Sequence, residues 1–280
     1  MKVCDLHTHS IFSDGSDTPE QIIRSAVVIG LSAVALCDHN TVYGLPDFMK
    51  AARDLPIEAI AGAEFSVDYN GKELHLLGLF IPENAWGQLS SIMEDVLRRK
   101  EESNLALVES LRNAGYPLDY EAIKATTARG QVNRAHIAEE LTRLGYTASM
   151  KEAFGTLLDP KAGHYREPRR ITVWEMLDTL KQFHAAPILA HPFLNLEHQE
   201  LEAFLPEAKS QGLMGMECYY SDYSQETTAE ALALTDNQQL LPSGGSDYHG
   251  KKKPHIRLGV GTGNLQIPYE WAVKIKEAIH

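Results

Sequence analysis

The chain has 280 residues, 44% hydrophobic and 23% charged, with a formal net charge of −12. That length suits one large α/β domain or a domain with an insert, and no apolar run approaches the roughly 20 residues that span a bilayer. So acidic a chain is a poor binder of long duplex nucleic acid, which is held largely through Lys and Arg, but a small phosphorylated substrate stays open because bound divalent cations reverse the local sign.

Residues 2–6 read as a first strand, ending in Asp5-Leu6-His7-Thr8-His9. Histidines at i and i+2 of a strand share one side. Met1-Lys2-Val3-Cys4 is too short for a signal sequence, and three cysteines (Cys4, Cys37, Cys218) form no disulfide framework. The expectation is a cytoplasmic protein with buried, reduced thiols. Thr18 caps a helix with Pro19 at its first position. Leu31–Cys37 is a continuous apolar run, as in a strand buried on both faces, and ends in Asp38-His39. A helix over Thr41–Arg53 and a strand over Ile57–Phe65 complete a βαβαβ order and imply a parallel sheet. Asn70-Gly71 then turns a hairpin into Glu73–Phe80.

The alternation breaks after Ile81-Pro82. Trp86–Asn113 reads as a long helix, followed by shorter ones near 119–126, 133–144 and 149–157, so residues 83–165 are expected to form a helical insert domain. Residues 1–82 and 166–280 are expected to form the α/β domain that it interrupts. Helices over Val173–Phe183, Leu196–Gln211 and Thr227–Asn237 alternate with strands over Ala186–Ala190, Leu213–Cys218 and Leu240–Pro242.

Metal-type side chains recur where the apolar strands end: His7 and His9, His39, Glu64, His191, then Asp247 and His249, with His75 on the returning hairpin strand and Asp14 in the first loop. Functional residues gather at the carboxyl ends of strands in parallel α/β folds and barrels. Imidazole with carboxylate and no thiolate suits zinc, manganese or iron. Nine candidates exceed one ion's coordination and suffice for two or three, with Glu64 as the bridging carboxylate. Closely spaced metals serve phosphate ester hydrolysis.

Asp5-Leu6-His7-Thr8-His9-Ser10, Ser13-Asp14-Gly15, Asp38-His39-Asn40-Thr41, Gly62-Ala63-Glu64, Ala190-His191-Pro192 and Gly245-Ser246-Asp247-Tyr248-His249 together resemble the PHP (polymerase and histidinol phosphatase) family. The motifs span nearly the whole chain in order. The resemblance is to small stand-alone members with a helical insert, among them nucleoside 3',5'-bisphosphate phosphatases and 5'-to-3' trimming nucleases. It implies an α/β fold, a distorted seven-stranded (β/α) barrel with the helical insert and a trinuclear site. His7, His9, Glu64 and Asp247 would hold one ion; Glu64, His75 and His191 a second; Asp14, His39 and His249 a third. Some relatives carry histidine where Asp14 stands; the carboxylate adds charge there. Asp5 and Asp38 would orient ligand imidazoles from behind. In the insert, Asn133-Arg134-Ala135-His136 stands where relatives often have Arg-Pro-His. Arg134 and His136, with His164 and Arg166, are the candidates for the substrate phosphate.

The implied activity is a metal-dependent phosphomonoesterase acting on a small nucleotide, a nucleoside monophosphate or 3',5'-bisphosphate. The cofactors would be two or three divalent ions (Mn, Zn or Fe), and a metal-activated hydroxide rather than a side chain would be the nucleophile. Tyr219, Tyr220 and Tyr223 could border the leaving nucleoside. Lys251-Lys252-Lys253 reads as a solvated loop that could also steer an anion, and His184, His198, His255 and His280 carry no assigned role. The expected partner is the small phosphorylated substrate alone, with no membrane and a monomeric chain. The alternatives are a histidinol-phosphate phosphatase, whose type usually lacks the insert; a 5'-3' exoribonuclease trimming short RNA; and a non-catalytic metal-bearing interaction domain.

Overall fold

The computed structural model describes residues 2–127 and 132–279; Met1, residues 128–131 and His280 lie outside them. The chain divides into two compact units, Met1–Ser91 with Ile171–His280, and Ile92–Arg170.

The first unit is an α/β barrel. Its strands are β1 (Val3–Asp5), β2 (Ala33–Leu36), β3 (Glu58–Tyr69), β4 (Lys72–Leu79), β5 (Ala186–Leu189), β6 (Gly215–Tyr220), β7 (Leu241–Gly245) and β8 (Ile267–Pro268). The sheet runs β7-β6-β5-β4-β3-β2-β1-β8. β1, β2 and β3 are parallel, β4 is antiparallel to both neighbours, and β5, β6 and β7 are parallel again. The sheet nearly closes: the Leu6 N–H donates to the Gly244 carbonyl at 3.2 Å and Thr8 bridges Tyr248 in parallel. Closure removes the open edges that a sheet otherwise exposes. Seven strands were expected and the sheet has eight. β8 is two residues long and pairs antiparallel with Val3 and Cys4, too short to leave a hydrophobic period in the sequence.

Helices α1 (Pro19–Val28), α2 (Leu45–Ala52), α7 (Val173–Gln182), α8 (His198–Ser210), α9 (Gln225–Asn237) and α10 (Tyr269–Glu277) belong to this unit. Thr18 accepts from the Gln21 N–H while Gln21 reaches back to the Thr18 N–H, a capping box that starts α1 where Pro19 fits. The second helix starts at Leu45 rather than Thr41, because residues 41–44 form the turn that carries the chain past His39. Inside the barrel Leu6, Ala35, Cys37, Ile60, Leu77 and Ile188 belong to one buried apolar core. All three cysteines are buried and free, and burial pushes the Cys218 thiol up to about 12.

The second unit holds most of α3 (Trp86–Asn113), with α4 (Tyr120–Thr126), α5 (Arg134–Arg143) and α6 (Met150–Gly155). Leu107, Leu111, Ile137, Leu141, Ala153 and Leu158 form its separate core. Side chains of Asp119, Asn133 and Ser149 cap its three shorter helices. No helix among the described residues is long and apolar enough to cross a membrane.

Candidate metal centre

Glu64 sits on β3 with 1% of its surface exposed, and its two oxygens face different histidines. Oε2 lies 3.3 Å from His7 Nε2, 3.4 Å from His9 Nε2 and 3.0 Å from His39 Nδ1. Oε1 lies 2.8 Å from His75 Nδ1 and 2.9 Å from His191 Nε2. Asp247 Oδ1 is 3.2 Å from His9 Nε2 and 3.8 Å from His7 Nε2. Asp14 faces the outer side, with Oδ1 3.1 Å from His249 Nε2 and Oδ2 3.9 Å from His39 Nε2. All nine expected ligands therefore fall into one continuous cluster. His9 and His249 stack with ring centroids 4.1 Å apart.

Three overlapping groups have donor atoms within 4.8 Å of one another: His7, His9 and Glu64; His39, Glu64 and His75; and His9, Asp14, His39 and His249. The last group adds His9 to the trio expected from the sequence. His7 Nε2, His9 Nε2 and Glu64 Oε2 are buried and make no hydrogen bond. Orphaned buried polar atoms are rare and costly. Three of them converging on one point from two imidazoles and a carboxylate fit divalent cations, and the donor set, nitrogen and oxygen without sulfur, fits zinc, manganese or iron.

The backbone is bent to deliver these groups. His191 (φ 27°) and Asp247 (φ 56°) are non-glycine residues at positive φ, as is Asn40 (φ 52°) beside His39. Such conformations persist where surrounding bonds over-determine them. The Asp247 N–H donates to the His7 carbonyl at 2.9 Å and the Asn40 N–H to the Glu64 carbonyl at 2.8 Å. Gly245 lets β7 pass against β1: a Cβ there would lie 2.1 Å from His7 Cβ.

The charges are strongly coupled. Burial would raise the Glu64 pKa, but His7, His39 and His191 hold it well below the carboxylate range. Asp247 is likewise held down, against its burial, by His9 and His7, and Asp14 by His249 and His39. Burial holds His9 down to about 3. Burial also opposes the charge on His7, His39 and His75, yet their carboxylate neighbours win: Glu217 and Glu64 raise His7, Glu64 and Asp14 raise His39, and Glu64 with Glu73 lifts His75 to about 9. Without cations the carboxylates favour the imidazolium form at His7, His39 and His75, whereas His9 stays neutral.

The PHP domain matches residues 5–243. The chain belongs to the PHP-domain family. As a PHP-domain protein it is a metal-dependent phosphoester hydrolase. The chain is 30% identical over 262 residues to a phosphoribosyl 1,2-cyclic phosphate 1,2-diphosphodiesterase of Eggerthella lenta, covering 91% of this chain and 98% of the relative. It is 27% identical over 249 residues to a 5'-3' exoribonuclease of Haemophilus influenzae (89% and 90%). It is also 27% identical over 255 residues to a 3',5'-nucleoside bisphosphate phosphatase of Chromobacterium violaceum (89% and 88%). A solved structure from Bifidobacterium adolescentis shares the fold, with a TM-score of 0.69 at 24% identity over 98% of this chain and 95% of that one.

Around the PHP cluster the supporting residues differ from expectation. Asp5 accepts from the N–H groups of His7, Ser246 and Gly259 and from the Ser246 hydroxyl. It ties the seam between β1 and β7 rather than an imidazole, because strand closure leaves those donors facing inward. Asp38 accepts from the Ser10 N–H and hydroxyl and from the Ser13 hydroxyl, and Ser13 Oγ is 3.5 Å from His9 Nδ1. The Ser13 hydroxyl links Asp38 to that imidazole. Tyr219 packs on Trp271, while Tyr220 and Tyr223 are buried and donate or accept hydrogen bonds at Asp247 and the Phe193 N–H. These contacts, on β6 for Tyr219 and Tyr220 and just after it for Tyr223, commit the three rings to packing and hydrogen bonding. Lys253, by contrast, turns inward, with Nζ 2.7 Å from Asp247 Oδ2.

In the second unit the Arg134 guanidinium lies 4.2 Å from the Tyr165 ring centroid. His136 Nδ1 accepts from the Asn133 N–H in the cap of α5, and His164 Nδ1 pairs with the Ser110 hydroxyl at 2.9 Å. The Arg166 carbonyl accepts from Ser103. One buried acid was missed by sequence reasoning. Glu217 on β6 is fully buried, with Oε1 3.0 Å from His7 Nδ1. Its signal was an acid inside an otherwise apolar strand run, a costly placement without a partner.

Proposed function

We propose that this chain removes phosphate from a small nucleotide, a nucleoside monophosphate or 3',5'-bisphosphate, at two or three manganese, zinc or iron ions. The observation that carries this reading is Glu64, whose two oxygens face separate sets of histidines from one buried position, His7, His9 and His39 at Oε2 and His75 and His191 at Oε1. His7, His9, Glu64 and Asp247 would hold one ion, Glu64, His75 and His191 a second, and Asp14, His39 and His249 a third. Bound divalent ions supply charge to phosphoryl oxygens and acidify water. Tyr220 donates to Asp247 Oδ2 at 2.9 Å and steadies it. Lys253, beside the same oxygen, is a cation at hand for the phosphate. Residues 1–82 and 166–280 carry the chemistry; Arg134, His136 and His164 from residues 83–165, and Arg166 just after them, are the candidates for substrate phosphate. Relatives named for acting on a bisphosphate, a cyclic phosphate and RNA share phosphoester hydrolysis, which supports the reaction class.

The test is a phosphate-release panel with added Mn²⁺. It compares nucleoside 3',5'-bisphosphates, nucleoside monophosphates, short oligoribonucleotides, phosphoribosyl 1,2-cyclic phosphate (with phosphatase added to reveal ring opening) and histidinol phosphate. Fastest turnover of a mononucleotide is expected. Preference for oligoribonucleotides or the cyclic phosphate replaces the substrate class, and no hydrolysis of any compound by metal-loaded protein overturns the reading.

A further inference from the structure

Most acids near the cluster face a ligand atom directly or hold main chain. Glu217 does something different. It lies on β6, which neighbours β5 but not β1, and it serves a histidine after each of those two strands. Its Oε1 is 3.0 Å from His7 Nδ1 and its Oε2 is 2.8 Å from the His191 backbone nitrogen. A shift in β6 register between Glu217 and Tyr219 marks a local bulge, the device that re-aims side chains near functional sites.

We propose that Glu217 is a positioning residue of the metal centre, fixing the tautomer of His7 and clamping the backbone of His191 so that both histidines present Nε2 to the ions. This rests on the reading of His7 and His191 as ligands. An ionised carboxylate only accepts hydrogen bonds, so the proton facing Glu217 belongs to His7 Nδ1. In the neutral imidazole the remaining lone pair is then on Nε2. That atom is one of the three buried atoms without a hydrogen bond, 3.3 Å from Glu64 Oε2. Carboxylate–imidazole pairs of this kind set ring orientation and raise ligand basicity.

The second contact acts on the chain rather than on a ring. His191 adopts φ 27°, ψ 56°, a sparsely populated conformation for a residue with a Cβ. Its N–H has no strand partner at that bend and is satisfied by Glu217. The bend aims His191 Nε2 at Glu64 Oε1, 2.9 Å away, while Nδ1 faces Asn195 Oδ1 at 3.3 Å. His249 uses a main-chain version of the same arrangement, donating Nδ1–H to the Asp247 carbonyl at 2.8 Å. Glu217 therefore serves the two sides of Glu64 at once, His7 at Oε2 and His191 at Oε1.

The conservative variant Glu217→Gln discriminates. An amide has one accepting oxygen, so it can serve His7 or His191 but not both. The experiment uses the full chain labelled with ¹⁵N, stripped and reloaded with zinc. Histidine long-range ¹H–¹⁵N spectra and zinc content are measured for wild type, E217Q and His7→Ala. Wild type should show His7 protonated on Nδ1 and metal-bound through Nε2. E217Q should perturb that signal and weaken zinc binding at one site about 10–100-fold, with its circular dichroism unchanged. A His7 bound through Nδ1 in wild type overturns the proposal even if E217Q fails to fold. Unchanged zinc affinity and an unchanged His7 signal in a folded E217Q also overturn it. If His7→Ala keeps all the zinc, or wild type binds none, the metal-centre reading itself is wrong and Glu217 has no such role.

Discussion

Replacing Gly245 by alanine tests whether the seam between β1 and β7 sets the geometry of the cluster. The added Cβ would lie 2.1 Å from His7 Cβ, 2.6 Å from His7 N and 2.8 Å from His7 Cα. Non-bonded carbons rest about 3.5–4.0 Å apart, so the two strands must separate by roughly 1.5 Å. The seam is held by the Leu6 N–H to Gly244 carbonyl bond (3.2 Å), the Asp247 N–H to His7 carbonyl bond (2.9 Å) and the His9 N–H to Tyr248 carbonyl bond (2.8 Å). A shift of that size takes at least one of them out of hydrogen-bond range. Overpacking costs about 1–3 kcal/mol, and a lost hydrogen bond about 1 kcal/mol more. A loss of about 3 kcal/mol lowers the melting temperature by roughly 6–12 °C in a domain of this size. His7 would move with the strand, and a displacement of about 1 Å at reacting groups costs on the order of 100-fold in rate.

The assay pairs thermal unfolding by circular dichroism with metal content and Mn²⁺-dependent phosphate release. Gly87→Ala is the control. It lies in α3, a Cβ there would meet no atom within 4 Å, and helix propensity predicts stabilisation by about 0.5–1 kcal/mol. A Gly245→Ala protein that melts within about 2 °C of wild type and keeps its metal and turnover would falsify the view that this close approach positions His7.

The remaining expectations concern the cluster itself. Glu64→Ala should bind one ion or fewer and lose turnover, measured by metal analysis and phosphate release; full activity would show that neither oxygen bridges. In metal-free protein the raised pKa of His75, about 9, stabilises the fold fully below the unfolded value near 6.5 and loses that contribution as pH rises through 9. Its melting temperature should fall over that window, and adding Mn²⁺ at pH 7 should release protons from His7, His39 and His75 into weak buffer; absence of proton release rejects these imidazoles as ligands. Lys253→Ala should raise KM for the phosphate ester more than it lowers kcat, because it leaves the ligands in place; an unchanged KM returns Lys253 to a surface role.

The strand-end histidines were legible because each follows an apolar run, and the barrel then converges those ends on one point. His7, His39 and His191 follow strands far apart in sequence, yet all face Glu64. What the sequence concealed depends on distance along the chain. Glu217 and His7 are separated by 210 residues, and no local period marks such a pair. Asp5 was expected to orient an imidazole, but the donors it meets come from Ser246 and Gly259, which barrel closure brings to it. β8 was invisible because two residues carry no alternation. The acid inside β6 was nonetheless a physical signal of its own. A carboxylate in a strand of apolar neighbours must find donors or a cation, and in a barrel its inward direction leads to the ligands of the other strands. Glu64 and Glu217 both obey that rule. One faces the donor atoms and the other stands behind them, and only register and closure decide which.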